Sequence, residues 1–514
     1  MDRASGGLET VTIETADGWL AGQRGGDVLA FKAIPFAAPP VGPLRWRMPE
    51  PPEPWTGVRD ATHFGPMSPQ APTQIEALLG GSLGAQSEDC LYLNVWTPGC
   101  DNAKRPVMVW IHGGAFVIGS ASQGLYNGKH LAARDCVVVT INYRLGALGF
   151  LNLRDATDGK FPATGSEGIA DQVMALNWVK RNIALFGGDP DNVTVFGESA
   201  GGMSVACLLA MPAARGLFHK GIMQSGSAHI GHTRERSARV AQVVMQKLGI
   251  AAGEVDKLAD VTPAELIEAQ VAMFAETHEG DAKRLGEVMF QPTIDGSLIA
   301  APPIDSIRAG SGAGIPVLAG TTKEEWKLFS AANPRLRLMS RSKFEDRIRR
   351  IAKEDAPILL AAYAEGTTFD RFNAVMTDKV FAVPTSRMLE AQGASAPVYQ
   401  YRFDWRSRLL GGLLGSCHAI DLGFTFGTHN VKLAGAFFGS GATAAELATA
   451  VMDSWVAFAR TCNPSCHTVG EWPRYNTDTR ATMILGDGNP HVAERPNEAR
   501  RAAWDNLEHR LGPA

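Results

Sequence analysis

Short apolar runs alternate with helical patterns along most of the chain. Residues 91–96, 107–111 and 137–141 have the pattern of buried strands, and the latter two are continuously apolar, as expected for inner strands of a covered sheet. Apolar residues recur at roughly helical spacing between residues 169 and 186. Further elements follow in the same order: a strand at 193–196, a helix over 200–210 and a strand at 221–224. This alternation predicts an α/β protein with a largely parallel, doubly wound sheet.

The two ends of the chain extend this pattern. Residues 8–36 alternate apolar and polar positions between glycine-rich breaks, which predicts antiparallel strands, and the prolines over 35–54 then exclude regular structure. Later strands are predicted at 315–320 and 398–403, and a last helix near 444–460. Two helical blocks, near 233–290 and 324–395, interrupt the strands. We therefore expect a single domain over residues 1–514, with these blocks as helical insertions.

Composition narrows the function classes only a little. The 514 residues are 45% hydrophobic and 20% charged, and the net charge of −4 favours neither nucleic acid nor an anionic membrane surface as a partner. No apolar run approaches the roughly 18 residues of a spanning helix. The N-terminus also lacks the apolar segment of a signal peptide. We therefore expect a cytoplasmic protein, either a monomer or a homodimer.

The cysteines do not indicate a disulfide framework. There are 7 cysteines, an odd number spread thinly over the chain. Cys462, Cys466 and His467 lie close together in sequence, but a metal site would need a second pair of ligands, and none is obvious. We therefore expect neither a metal nor a cofactor.

Residues 192–202, Asn-Val-Thr-Val-Phe-Gly-Glu-Ser-Ala-Gly-Gly, carry the main chemical signal. A short apolar strand runs into a G-x-S-x-G motif and then into a helix of small residues, which is the setting of a nucleophile elbow. Gly197 and Gly201 allow the chain to turn sharply. The helix that starts at Ala200 directs free N–H groups toward an oxygen held beside it. Ser199 is therefore a candidate nucleophile, provided that a base is within reach.

The acid and the base of a serine hydrolase with this elbow follow the serine along the chain. Glu324 and Glu325 follow the strand that ends near Gly320, and Asp295 is a rival in a predicted turn. His418 lies in a glycine-rich loop after the predicted strand at 398–403, where a catalytic histidine belongs. The other histidines after Glu325 are less well placed; they are His429, His467, His491 and His509.

A second glycine-rich loop lies at residues 112–116, where the strand at 107–111 breaks into His-Gly-Gly-Ala-Phe. Acyl transfer passes through a tetrahedral intermediate whose oxyanion needs hydrogen-bond donors. Loops of this type bring backbone N–H groups beside the serine. The N–H of Ala200 would supply a further donor.

Taken together, these motifs resemble the type-B carboxylesterase family, which includes the cholinesterases and bacterial p-nitrobenzyl esterase. The resemblance covers nearly the whole chain. Its segments are residues 38–46 (APPVGPLRW), 88–95 (EDCLYLNV), 187–194 (GGDPDNVT) leading into 197–202 (GESAGG), and 320–325 (GTTKEE). The resemblance implies an α/β-hydrolase fold with helical insertions over the active site, and a serine esterase acting on small-molecule esters.

The resemblance also selects among the candidates. It implies a triad of Ser199, Glu325 and His418, because the second acidic residue of the family's acid motif is the triad member. The family's oxyanion loop falls on Gly113, Gly114 and Ala115, so the implied donors are Gly114, Ala115 and Ala200. Glu324 is then expected to point outward as a solvated carboxylate at the start of a helix.

Some departures from the family pattern are informative. Secreted members pair the cysteine at the position of Cys90 with an earlier one, and Ser68 stands in its place here, so Cys90 should be a free, buried thiol. Trp326 replaces a usual glycine. Residues 69–91 contain no aromatic residue, which argues against quaternary ammonium substrates. Apolar side chains near the histidine loop are expected to line the site instead: Leu409, Leu410, Leu413, Leu414, Phe437 and Phe438.

The leading interpretation is a serine carboxylesterase that works through an acyl-enzyme. A hydrolase of amides, carbamates or toxin esters could use the same residues, because a fold does not fix its substrate. A non-catalytic binding protein is a third alternative, although the presence of the triad residues and the oxyanion loop argues against it.

Overall fold

The computed structural model describes residues 9–73, 84–275, 288–331, 333–431 and 434–513. Four predicted segments fall partly outside these ranges: the first strand at Leu8, the aromatic-free loop at residues 74–83, the first helical block at residues 276–287, and the second helical block at residue 332. Within the described ranges, no helix is both long and apolar enough to cross a membrane.

The strands, numbered along the chain, are β1 (Thr10–Thr15), β2 (Gly18–Gly25), β3 (Val28–Pro35), β4 (Val58–Asp60), β5 (Tyr92–Thr97), β6 (Arg105–Ile111), β7 (Val137–Ile141), β8 (Gly188–Glu198), β9 (Lys220–Gln224), β10 (His232–Thr233), β11 (Thr293–Ile294), β12 (Val317–Thr322), β13 (Val398–Phe403), β14 (Thr482–Leu485) and β15 (His491–Ala493). All but β10 and β11 belong to one large sheet, ordered β1-β2-β3-β5-β7-β6-β8-β9-β12-β13-β14-β15, with β4 beside β2. The strands from β7 to β14 in this order run parallel, and the edges are antiparallel.

The longer α-helices are α1 (Glu167–Asn182), α2 (Ala200–Ala210), α3 (Arg234–Lys247), α4 (Pro263–Ala275), α5 (Arg341–Ala352), α6 (Thr368–Thr377), α7 (Val383–Gly393) and α8 (Ala442–Thr461). Shorter α-helical segments are Lys129–Ala132, Gly146–Gly149, Leu153–Ala156, Pro303–Arg308, Lys327–Ser330, Pro334–Arg337, Ala356–Ala362, Leu422–Thr425, Gly435–Phe438 and Glu498–Ala502. A π-helical turn, Asp378–Ala382, joins α6 to α7.

Helices cover the sheet on both faces. Successive side chains of a strand point to opposite faces, and in β6 Val107 and Val109 belong to one apolar core while Met108 and Trp110 belong to the other. Helices α1 and α2 pack into the first core, and α8 packs into the second. Every residue of α2 is buried, as expected for a helix that is apolar on all sides.

The predicted α/β-hydrolase architecture is confirmed: the central strands are parallel and the N-terminal strands form an antiparallel meander. Both helical blocks contain helices, with α3 and α4 in the first and α5 to α7 in the second. Strands β14 and β15 were not predicted, because they have only 4 and 3 residues. The assignment of the whole chain to one domain stays a prediction.

Candidate active site

Ser199 lies at the sharp turn between β8 and α2. Its φ of 56° and ψ of −123° depart from both strand and helix geometry, and such backbone strain is found mainly at functional sites. Its backbone N–H donates to the carbonyl of Gln224 at 2.8 Å, which ties the turn to the end of β9. A Cβ on Gly201 would come within 2.0 Å of the carbonyl oxygen of Ile111, so α2 can approach β6 only with glycine there. The turn is therefore fixed by backbone packing.

The structure brings His418 and Glu325 together from distant parts of the chain. His418 Nδ1 donates to Glu325 Oε2 at 2.6 Å, and the His418 backbone N–H donates to the carbonyl of Glu325 at 3.2 Å. Glu325 is completely buried at the end of β12. Its Oε1 accepts from the N–H of Thr322 at 2.7 Å and from Ser225 Oγ at 2.6 Å. These donors hold the carboxylate in one orientation toward the imidazole.

The other ring nitrogen of His418 faces the turn that carries Ser199. Nε2 lies 3.1 Å from Glu198 Oε1, in a geometry that makes an electrostatic contact and not a hydrogen bond. Burial lowers the pKa of His418, but the charges of Glu198 and Glu325 outweigh it and raise this pKa to about 9. Burial raises the pKa of Glu198 to about 8, against the opposing effect of His418. Glu198 and His418 thus compete for a proton beside the serine.

Among the described residues, no hydrogen bond joins Ser199 Oγ to His418, whose ring nitrogens lie against Glu325 and Glu198. The structure therefore places the histidine beside the elbow without a closed bond to the serine. Catalytic hydrogen bonds are often loose before a substrate is bound and tighten in its complex. Ser199 is partly exposed, so its hydroxyl is accessible to a reactant.

The predicted oxyanion loop packs directly against the elbow. A Cβ on Gly113 would lie 3.1 Å from Ser199 Cβ and 2.6 Å from the carbonyl of Glu198. Tyr143 donates through its hydroxyl to the carbonyl of His112 at 2.8 Å, which braces the loop. Among the described residues, the N–H groups of the three predicted donors, Gly114, Ala115 and Ala200, have no acceptor. They remain available to a bound oxygen.

Glu324 does not have the surroundings predicted for it. Its Oε2 accepts from the backbone N–H of Ser416 at 3.0 Å, and its Oε1 accepts from Lys327 Nζ at 2.6 Å. Burial raises the pKa of Glu324, but these partners outweigh it and lower the value overall. The prediction of a solvated carboxylate was wrong, because the loop that carries His418 folds over this side chain and uses it as an acceptor.

The rival candidates lie elsewhere. Asp295 Oδ1 accepts from the N–H groups of Ser297 and Ile299, so this carboxylate closes a turn. The ring of His429 stacks on Phe424, and the remaining histidines, His467, His491 and His509, are exposed. In the described ranges, no group of three or more His, Cys, Asp or Glu side chains is arranged to hold a metal ion.

Aromatic rings form a wall beside His418. The centroid of the Phe381 ring lies 4.8 Å from that of the imidazole, and the centroid of Phe329 lies 5.2 Å from it. Trp326 packs on Phe329 at 5.0 Å, so this departure from the family pattern extends the wall. Two predicted lining residues, Phe437 and Phe438, are instead completely buried in the second core. That prediction was wrong, since the two rings pack on each other and Phe438 also packs on Phe424.

Cys90 is a buried free thiol, as predicted. Its neighbour is the hydroxyl of Ser68, and burial raises the pKa of the thiol far above its usual value. All seven cysteines, which fall within the described ranges, are unpaired.

Three polar residues around the site were not predicted from the sequence. Glu198 occupies the variable position of the G-x-S-x-G motif, and Ser225 directly follows β9, so both positions could have been noticed as polar residues at strand ends.

Asp421 is buried behind His418, where it accepts from Gln224 Nε2 at 2.9 Å and from the Tyr401 hydroxyl at 3.1 Å. Burial raises the pKa of Asp421 to about 6. Only its spacing of three residues from His418 could have indicated this position.

Comparison with known proteins identifies the family of this chain. The family model described as "Carboxylesterase family" matches residues 9–504. The chain is 39% identical to the para-nitrobenzyl esterase of Bacillus subtilis (strain 168), over 95% of this chain and 97% of that protein. It is 34% identical to the phenmedipham hydrolase of Pseudarthrobacter oxydans, over 93% and 96% of the two chains.

A solved structure gives the same result. The carboxylesterase of Geobacillus stearothermophilus superposes with a TM-score of 0.86 at 38% identity, covering 96% of this chain and 100% of the other. Sequence, length and fold thus agree over nearly the whole molecule. The chain is a carboxylic ester hydrolase and belongs to the carboxylesterase family.

Proposed function

We propose that Ser199, His418 and Glu325 form the catalytic triad of this esterase. The observation that carries the proposal is the 2.6 Å hydrogen bond from His418 Nδ1 to Glu325 Oε2, made while Nε2 faces the serine turn. Glu325 would fix the tautomer that leaves Nε2 free to accept a proton, and it would stabilise the imidazolium that forms.

In the proposed reaction, Ser199 Oγ attacks the acyl carbon and its proton passes to His418 Nε2. The oxyanion of the tetrahedral intermediate accepts from the N–H groups of Gly114, Ala115 and Ala200. The proton then moves to the leaving alcohol as the carbon–oxygen bond breaks, which leaves an acyl-enzyme. A water molecule, deprotonated by His418, releases the acid and restores the serine.

We propose uncharged esters with apolar groups as the substrate class. The aromatic wall of Trp326, Phe329 and Phe381 beside His418 supports it, as does the absence of aromatic residues from the sequence 69–91. Hydrolysis of amides, carbamates or toxin esters by the same triad is the alternative, because a fold does not fix its substrate. For the oligomeric state, we propose a monomer or a homodimer.

The triad is tested with Ser199→Ala. Ser204→Ala is the matched control, because Ser204 lies inside α2, five residues after Ser199, and accepts a hydrogen bond from Gln172 Nε2. We expect Ser199→Ala to lower turnover of a p-nitrophenyl ester by about a million-fold, as loss of the nucleophile does in a comparable triad. The control should keep most activity. A folded Ser199→Ala protein with near wild-type turnover would refute the assignment.

The substrate class is tested with p-nitrophenyl esters of increasing acyl length, assayed beside one amide, one carbamate and one choline ester. We expect kcat/KM to be highest for an uncharged ester and lowest for the choline ester. A preference for the amide or the carbamate would change the proposed substrate class, but it would not contradict the proposed triad.

We also propose a bacterial origin, supported by the bacterial relatives, and a cytoplasmic location, supported by the unpaired Cys90 beside Ser68. If the thiols are the native state, thermal unfolding curves with and without a reductant should coincide. A drop in Tm on reduction would indicate a disulfide and an oxidising compartment.

A further inference from the structure

The π-helical turn Asp378–Ala382 is an irregular element close to the catalytic centre. It interrupts the helical run of α6 and α7 just before Pro384, which has no N–H to donate to the carbonyl four residues earlier. The π-helical turn therefore accommodates the proline and changes the direction in which the following side chains point. Such turns are rare, and they are frequent at functional sites.

The inner face of this turn presents Phe381 to His418. The two ring centroids are 4.8 Å apart and the ring planes are inclined by 39°. Phe329 lies parallel to Phe381, with an interplanar angle of 4°, and also contacts the imidazole. Phe381 is only 3% exposed, whereas Phe329 is 42% exposed. Phe381 is therefore the buried support of the imidazole, and Phe329 is the ring that solvent or a substrate reaches.

The outer face of the turn is held by the C-terminal segment, residues 494–513. Lys379 Nζ donates to the carbonyl of Gly512 at 2.8 Å, and the Gly512 N–H donates back to the carbonyl of Lys379 at 2.9 Å. Asp378 Oδ2 accepts from Arg500 Nε at 2.7 Å and from the Tyr363 hydroxyl at 2.6 Å. The turn is thus tied on one side to the end of the chain and on the other side to the imidazole.

We propose that Phe381 is a positioning residue for His418, held in place by the Lys379–Gly512 clasp; this inference rests on the proposed triad. The hydrogen bond to Glu325 fixes Nδ1 but leaves the imidazole free to tilt about that contact. The face of Phe381 blocks this tilt and keeps Nε2 directed at the serine turn. Phe381 acts on the reaction through His418 and does not contact the reacting atoms.

The test compares Phe381→Leu with Phe372→Leu. Phe372 is a buried phenylalanine of α6 in the same apolar cluster, and it is stacked under Arg347 and not against His418. Both changes remove a ring from the same core, so the loss of stability should be similar. We expect Phe381→Leu alone to lower kcat by about 10- to 100-fold, since small misplacements of a reacting group have effects of this size. KM should change by less than about threefold.

Two further readouts separate positioning from packing. The proton on His418 Nδ1 should give a downfield NMR resonance that broadens in Phe381→Leu and is unchanged in Phe372→Leu. Lys379→Met removes the side-chain hydrogen bond of the clasp, keeps the backbone one and does not alter the imidazole. It should lower kcat by about threefold, with the same resonance broadened. Equal kcat losses in the two leucine variants, an unchanged resonance, or a rise in KM at constant kcat would overturn the proposal.

His418→Ala, assayed beside these variants, tests the proposed triad separately from the positioning role of Phe381. If His418→Ala remains active, the proposed triad fails. If it is inactive while Phe381→Leu behaves like Phe372→Leu, the triad stands and only the positioning role of Phe381 is wrong.

Discussion

The two sides of the active site are built in different ways. The serine side comprises the oxyanion loop and the turn at Ser199, and backbone contacts hold it: strand pairing between β6 and β8, and glycines where a Cβ would clash. The histidine side comprises Glu325, Phe381 and His418, and the acid and the base are 93 positions apart in sequence. One backbone hydrogen bond joins His418 to Glu325, but the orientation of the imidazole depends on side-chain contacts with Glu325 and Phe381. Backbone packing fixes the nucleophile, whereas mainly side chains orient the base.

This difference has an electrostatic counterpart. The serine side offers dipoles, namely free N–H groups and the N-terminus of α2. The histidine side gathers full charges, because Glu198, Glu325 and Asp421 all act on His418. Dipoles do not titrate, so the oxyanion site should be insensitive to pH. The base should respond to each neighbouring carboxylate.

The largest effect on the histidine side is expected for Glu325→Gln. An amide can accept the hydrogen bonds of Thr322 and Ser225, but it favours the wrong tautomer of His418 and cannot stabilise the imidazolium. We expect turnover to fall by a factor of hundreds or more, as it does when the acid of a comparable triad becomes an amide. Steady-state kinetics with a p-nitrophenyl ester gives this factor.

The same variant tests whether the two sides act as one unit. Groups that act together are strongly non-additive, so Glu325→Gln added to Ser199→Ala should lower the residual rate little further. Additive losses would mean that the acid assists the reaction independently of the serine.

The contrast between the two sides also explains what the sequence could predict. The elbow is a contiguous motif, and its strand, turn and helix are all visible in residues 193–210, so the fold around it was predicted correctly. The α2 bounds agree with the prediction because the small apolar run is bounded by Ser199 and by the proline after Met211.

Elements of the histidine side depend on contacts that are distant in sequence. Nothing in residues 378–382 indicates that Phe381 reaches His418, because the two side chains meet only in the folded protein and are 37 positions apart in sequence. The burial of Phe437 and Phe438 likewise depends on packing in the second core, where Phe438 contacts Phe424. The role of Glu324 depends on the hydrogen bond from the Ser416 N–H, 92 positions away in sequence. Apolar residues near a predicted site can belong to a core, and local pattern alone does not separate the two.

Glu198→Gln is expected to have an intermediate effect, and it should change the pH dependence of kcat/KM. The Glu198 charge raises the pKa of His418, together with Glu325 and Asp421. Removing that charge should lower the pKa of His418, so the unprotonated base persists to lower pH. The acidic limb of the kcat/KM profile is therefore expected to move to lower pH, which a pH–rate series measures directly.

Glu324→Gln is the matched control for that series, because its carboxylate pairs with Lys327 outside the site. It should leave the acidic limb in place. A limb that moves to higher pH in Glu198→Gln, or that moves equally in both variants, would show that the contact between Glu198 and His418 does not govern the base.

The smallest effect is expected from Glu324→Gln on turnover. The amide keeps one acceptor oxygen and loses the other, so either the Ser416 N–H or the Lys327 ammonium loses its partner. The histidine loop remains tied to β12 by the backbone hydrogen bond from Glu324 N to the Ser416 carbonyl at 2.8 Å. We therefore expect a fall of less than about tenfold, under roughly 1.4 kcal/mol in activation free energy. Lys327→Met removes the ion pairs with Glu324 and Asp370 but keeps the hydrogen bond from Ser416 to Glu324, so it should lower turnover by no more than Glu324→Gln does. If Glu324→Gln lowered turnover as much as Glu325→Gln, the position of His418 would depend on the outer carboxylate as strongly as on the inner one, and the acid would have to be reassigned.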